Sequence, residues 1–307
     1  MRGGTSGLEE EVRGTVSDQE WEGATARMAR IVHAMVGWIF WDPDAIARYA
    51  ALGVPGGLGY LATRAAPIAA LGDDAVVAVL FGWADDPVRT SLRIARQETT
   101  FGALWAARDR AVREGLAVHA PAAPTELAEI RDDLWRAVIA CEPSGRLLYA
   151  ACLDMPMPAD PALSAWHALN CLREWRGDTH NAVLITAGLG PVEALILDSA
   201  WAGCPVDWMA RSRMWGETAI TAAMQRLERR GLVEDGAVLA GGIDFRIEIE
   251  ERTDELSTAP WVELGRERVE EIERMLGPIA STLLDRVDET AGPRYLAAAR
   301  VHDRAHS

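Results

Sequence analysis

The densest run of polar side chains in this sequence is Glu174-Trp175-Arg176-Gly177-Asp178-Thr179-His180-Asn181. At helical spacing Glu174 and Asp178 share one face, and Arg176 and His180 share another. A carboxylate that orients an imidazole, beside an arginine that fixes an anionic or carbonyl group, makes an acid–base set, because histidine exchanges a proton near neutrality. On this reading His180 is the acid–base residue, Asp178 its orienter and Glu174 a further catalytic carboxylate, with Trp175 and Arg176 against the substrate. The plainer alternative uses the same residues: Asp178 caps the start of a following helix, Arg176 pairs with Glu174, and His180 lies at the surface.

A second set of candidates lies upstream. Arg64, in GYLATRAAP (59–67), sits in an alanine-rich helical stretch with Tyr60 one turn before it. A guanidinium on such an apolar surface must find a carboxylate or a ligand, since an unpaired buried charge is costly. Arg64, Tyr60 and His33 are therefore expected to face the cluster at 174–180 across a shared pocket, or Arg64 to pair directly with Asp178 or Glu174. His167, Cys171, Glu174 and Asp178 also fall on one helical stripe of residue types that can ligate a metal. A histidine and cysteine among apolar neighbours are more often core residues, and no metal is expected.

Composition narrows the chemistry. All 31 basic residues are arginine, so a phosphate-binding loop ending in G-K-[ST], a pyridoxal Schiff base and a lysine nucleophile are excluded. No G-x-G-x-x-G opens a strand-to-helix turn, which disfavours hydride chemistry, and no cofactor is expected. The net charge of −15 repels a phosphate backbone. Cys141, Cys152, Cys171 and Cys204 have no C-x-x-C spacing and read as free thiols. Neither a signal peptide nor a run of 18 apolar residues is present, so a cytoplasmic protein with no membrane span is expected.

The elements that must position these residues read as mainly α-helical. Residues 1–20 are aperiodic and expected to be a disordered tail. A helix is expected from about Glu20-Trp21 to Trp41, and Asp42-Pro43 opens another that Gly53 ends. An arginine-rich helical stretch spans about 88–118, and a further helix 125–141. RLLYAACL (146–153) fits either helix or strand, and the prolines of DMPMPADP (154–161) mark an inter-domain boundary. A weak internal match keeps its order over two passages: His33 meets His167, Trp41 meets Trp175, Asp44 meets Asp178, Gly53 meets Gly188, and Trp83 meets Trp215. It predicts two related helical halves, 21–155 and 156–307, with a helix break near Gly177 where the first passage breaks at Asp42.

The second half carries a winged-helix pattern. Ile220, Met224 and Leu227 form a helix face that Gly231 caps; Leu232-Val233 and Ala237-Val238-Leu239 pair across Glu234-Asp235-Gly236, and another helix follows. The candidate recognition helix, 217–230, offers Thr218, Thr221, Gln225, Arg226, Arg229 and Arg230, but Glu217, the acidic hairpin tip and Asp244 oppose phosphate, so DNA is not the expected partner. A charged helix over 265–287 closes the pattern.

The run RLERRGLVEDG with IEERTDEL resembles the winged-helix end of multiple-antibiotic-resistance (MarR)-type regulators. Over about 25–290 the chain resembles an actinobacterial family of helix-turn-helix-like proteins of about 300 residues found near specialised-metabolism genes. The residues that carry this are GYLATRAAP, SGRLLYAA, LREWRGDTHNA, MWGETA and ERTDELSTAPWVELG. FGWADDP (81–87) and Thr179 depart from that family's pattern where a pocket is expected. Together these features predict a small-molecule-acting protein, first as a cofactor-independent acid–base enzyme of isomerase, cyclase or hydrolase type with its pocket between the halves. The alternative is a ligand-responsive winged-helix regulator. Monomer and homodimer are both compatible with the sequence.

Overall fold

The computed structural model describes residues 18–291. The expected tail lies outside them for residues 1–17, while 18–20 already belong to the first helix, α1 (Asp18–Gly37). A single 3-10 turn, Trp38–Phe40, links α1 to α2 (Pro43–Ala51), whose first turn is capped as expected: Asp42 Oδ2 accepts from the Ala45 amide at 3.0 Å. After α3 (Gly56–Ala65) and a 3-10 segment, Ala66–Leu71, comes α4 (Asp73–Val79). The stretch over 88–118 is two helices, α5 (Asp85–Glu98) and α6 (Phe101–His119). Thr99 and Thr100 adopt extended backbone between them, and the Thr100 hydroxyl caps α6 by accepting from the Ala103 amide at 3.1 Å.

The helix expected over 125–141 is likewise divided, into α7 (Ala123–Glu129) and α8 (Arg131–Ile139), about the fully buried Ile130. RLLYAACL contains a helix, α9 (Leu147–Leu153). Beyond the proline segment, Asp160 caps α10 (Pro161–Thr186), accepting from the Leu163 amide at 2.8 Å. There follow α11 (Pro191–Trp201), α12 (Trp208–Ser212) and α13 (Glu217–Arg229). The hairpin of β1 (Val233–Glu234) and β2 (Ala237–Val238) comes next, then α14 (Ala240–Glu255), α15 (Ala259–Leu264) and α16 (Arg266–Ala291). The protein is mainly helical, and the two-stranded hairpin is the sheet among the described residues. Val233 pairs antiparallel with Val238, and Asp235 and Gly236 both take positive φ, as a two-residue turn of this hand requires.

The helix break expected near Gly177 does not occur: α10 runs unbroken through it. Packing explains this. α10 is sandwiched by α1, α7, α8, α9 and α14, and buries Trp166, Leu169, Cys171 and Trp175 along its length. One interior glycine costs about 1 kcal/mol, little against burial of several large side chains. Two apolar cores result. The first joins α1–α9, the N-terminal part of α10, α15 and α16, drawing on both sides of the boundary expected near 155; the second joins the end of α10 to α11–α14 and the hairpin. No single helix among the described residues is long and apolar enough to cross a membrane.

One turn recurs. At the end of α2 the Val54 amide donates to Tyr49 O and the Gly53 amide to Ala50 O; at the end of α10 the Leu189 amide donates to Leu184 O and the Gly188 amide to Ile185 O. Both glycines have positive φ, 84° and 71°, which a side chain would resist, and the same glycine turn closes α11 at Gly203 and α13 at Gly231.

Candidate functional site

Three helices bring the candidate residues together. α1 contributes His33, α3 contributes Arg64, and α10 contributes Glu174, Trp175, Arg176 and His180; with Trp261 of α15 these line one cavity of about 190 Å³. The i, i+3 and i+4 spacing on the unbroken α10 sets Arg173, Arg176, Gly177 and His180 along the same wall. Tyr60 lines an adjoining cavity that shares His33, Arg64 and Arg173 with the first.

Glu174 is the centre of the polar wall. Arg64 Nη2 meets its Oε2 at 2.9 Å and Arg173 Nη1 meets its Oε1 at 2.6 Å. Burial would push the Glu174 carboxyl up, but the two guanidiniums outweigh it and hold it below the usual carboxylate range. Burial likewise opposes the Arg64 charge, and Glu174 and Tyr60 more than offset it. Arg64 therefore pairs with Glu174, one of the two carboxylates expected for it, and lines a cavity with His180 but not with Asp178.

Arg176 does not pair with Glu174. Its Nη2 meets Asp254 Oδ1 at 2.7 Å and also Glu250, both on α14, and Arg246 Nη2 reaches the other oxygen of Glu250 at 2.8 Å. His180 lies beside this network, half-buried rather than at the surface, with Nδ1 2.9 Å from the Thr253 hydroxyl. That hydroxyl donates to Ile249 O, so its oxygen accepts from Nδ1–H and Nε2 is left as the basic ring atom. Burial pushes the His180 imidazole down to about 4, so it is neutral near neutrality.

Asp178 stands apart from this cavity. Its Oδ2 accepts from the Tyr149 amide at 3.0 Å, so it caps the first turn of α9 rather than a helix following itself, and it faces a different hollow beside Arg146 and Arg252. Its hydrogen bond therefore goes to backbone, not to the His180 ring. Burial raises its carboxyl to about 6. Trp175 is held through Nε1 to Glu142 O at 3.1 Å, under the Arg146 guanidinium.

The stripe considered for a metal is divided among other partners. His167 Nε2 lies 3.1 Å from Cys152 O and 3.9 Å from Cys171 Sγ, Glu174 holds two arginines, and Asp178 caps α9. Among the described residues no group of three His, Cys, Asp or Glu side chains is arranged to hold a metal ion. The four cysteines are free thiols.

Sequence reasoning missed Arg173, Trp261 and, in the adjoining cavity, Phe40, Trp83 and Arg213. Counting helix faces pairs Glu174 with Asp178 and passes over its immediate neighbour Arg173, while Arg213 belongs to a loop that periodicity does not describe.

A family model described as a helix-turn-helix family matches residues 18–290. The chain belongs to that helix-turn-helix family. No curated protein and no solved structure matches it. In this helix-turn-helix protein α13 buries Ile220 and Leu227 of the predicted face against the second core, together with Ala223, while Met224 is half-buried; Thr218, Thr221, Gln225, Arg226, Arg229 and Arg230 are exposed. Two of those arginines are engaged: Arg226 pairs with Glu193 at 2.5 Å, and Arg230 donates to the carbonyls of Ala187 and Gly188. Glu217, Glu228, Glu234, Asp235 and Asp244 are exposed around them.

Proposed function

We propose that this is a small-molecule-binding helix-turn-helix protein in which a ligand held between α1, α3 and α10 sets the position of the α11–α14 unit, that is, a ligand-responsive protein of regulator type. The observation that carries this reading is that one helix supplies both sides of the connection. α10 presents Glu174, Arg176 and His180 to the cavity, and Arg176 and His180 are the same side chains that bind α14 through Glu250, Asp254 and Thr253. A ligand that displaces either contact shifts the second core relative to the first, because it binds the two arrangements unequally.

Two related halves, the second ending in a winged helix, remain part of the proposal. A reciprocal contact between the loops of Trp83 and Trp215 supports it: the Ala84 amide donates to Arg213 O at 3.2 Å and Trp215 Nε1 to Gly82 O at 3.1 Å. We place the protein in the cytoplasm, as monomer or homodimer, without a bound cofactor, and in specialised metabolism by its resemblance to MarR-type and actinobacterial relatives. The carboxylates around α13 and the hairpin argue against DNA as the main partner.

A second reading, a cofactor-independent acid–base enzyme, is favoured by the basic Nε2 of His180 and by His33 lining the same cavity as Arg64 and Arg176. It ranks second because Asp178 and Arg176 are committed to α9 and α14. Incubation with an organic extract of host cells, followed by desalting and native mass spectrometry, tests both. A retained molecule recovered unchanged, with slower hydrogen exchange in α13 and α14, supports the ligand-responsive reading; a molecule recovered chemically altered supports the enzyme. Retention of nothing overturns both.

A further inference from the structure

The cavity adjoining the first holds the less expected chemistry. It measures about 320 Å³, at the lower end of small-molecule sites. One wall is aromatic: the Tyr60 ring lies 4.0 Å from Phe40 and 5.9 Å from Trp83, between centroids, and Trp41 adjoins them. The other wall is cationic, with Arg64, Arg173 and Arg213. Two of these share one carboxylate, since Arg64 and Arg173 both bind Glu174. Arg213 donates to the Ser212 hydroxyl at 3.1 Å and lies 5.0 Å from the Trp83 ring centre. Among the described residues no carboxylate stands within ion-pair distance of Arg213. Burial holds its guanidinium below its usual range; Tyr60 and Asp198 favour the charge and Arg64 and Arg173 oppose it, and neither pair reverses the effect of burial. The Nε atoms of Arg64 and Arg173 are buried without a hydrogen-bond partner.

An excess of buried positive charge in a protein of net charge −15 is a local cost that an anion would relieve. Position adds a consequence. Arg213 and Met214 lie in the short connection before α13, and Met214 holds φ at 64°, a conformation a non-glycine residue adopts rarely. Arg64 and Arg173 stand on α3 and α10. Any anion that touches both sets joins the α13 connection to the first core.

We propose that this cavity binds a small organic carboxylate with one or two flat rings, its carboxylate between Arg213 and the Arg64–Arg173 pair and its ring against Tyr60, Phe40 and Trp83, and that binding clamps the connection before α13. Arg–carboxylate contacts fix the charged end, and ring contacts select flat molecules over inorganic anions. The proposal deepens the ligand-responsive reading and rests on it for its link to α13.

The test is a tryptophan-fluorescence titration with indole-3-carboxylate, benzoate, naphthoate, the matching neutral amides and inorganic phosphate. The carboxylates are expected to saturate the signal, the amides and phosphate to bind at least tenfold more weakly, and Arg213→Met to weaken carboxylate binding at least tenfold. Arg229→Met, on the exposed face of α13, should leave it unchanged. Arg213→Met should also melt no lower than the parent, since it removes a buried charge without a carboxylate partner, which separates lost binding from lost folding. Equal binding of acids and amides, undiminished binding by Arg213→Met, or binding of none of the probes overturns the proposal. Arg213-dependent carboxylate binding that leaves hydrogen exchange at 212–216 and in α13 unchanged keeps the ligand class and overturns the link to α13. Failure of every probe, alongside a different retained molecule that slows exchange in α13, overturns the ligand class alone.

Discussion

Arg64 and Glu174 stand 110 residues apart in the chain and meet at 2.9 Å, joining α3 to α10 at the boundary between two cavities. The Glu174 side chain is only 4% exposed, and its second oxygen holds Arg173. One carboxylate thus neutralises two guanidiniums in a site with little water around it.

Replacement of that carboxylate should be costly. Glu174→Gln leaves Arg64 and Arg173 without a counter-charge, and breaking a buried pair from one side costs about 3–5 kcal/mol. At about 2–4 °C per kcal/mol for a chain of this size, thermal denaturation should show a melting point lower by roughly 6–20 °C. A change within 2 °C would mean the arginines find other partners or water.

The effect of acid is set by groups that oppose one another. The folded His180 and His167 titrate near 4 rather than 6.5, so between those values the unfolded chain takes up more protons and stability falls as pH drops. The folded Asp178 titrates near 6 rather than 3.8, so over that window the folded chain takes up more protons and stability rises as pH drops. Asp178→Asn should therefore steepen the loss of stability between pH 6.5 and 4.5 in urea denaturation, and His180→Gln should flatten it. The reverse ordering would show that these groups are not buried as described.

Close approach of α2 and α3 makes a further prediction. A Cβ on Gly59 would lie 2.5 Å from the Tyr49 Cβ, whereas one on Gly57 would meet open space. Gly59→Ala should destabilise by about 1–3 kcal/mol as an overpacked contact, and Gly57→Ala should be neutral or stabilising by up to about 1 kcal/mol. Chemical denaturation of the two variants gives the comparison directly. Equal stabilities would rule out the helix contact.

The ties between α10 and α14 can be loosened selectively. Arg176→Met removes a partner from both Asp254 and Glu250, while Arg246 still holds the latter. Amide exchange should accelerate in α14 and α13, with the α1–α9 core unaffected. Uniform acceleration through both cores would mean that the two do not move separately.

Much of this protein is legible in its residues. Asp42-Pro43 announces a helix start, Gly53 and Gly231 announce ends, and Glu234-Asp235-Gly236 announces a hairpin, because caps and turns are decided within a few residues of chain. The chemistry of Arg64 follows from sequence too: an arginine in an apolar helix needs a partner, wherever it is found. Tertiary structure decided what the partner is, and it decided against the break near Gly177, since packing on several sides of α10 outweighs one glycine. It separated Asp178 from His180 although only one residue lies between them, because adjacent side chains on a helix point to different neighbours, here α9 and α14. It also brought Arg213 beside Arg64 and Arg173, three charges whose meeting depends on helix packing across more than 100 residues, which local sequence does not encode.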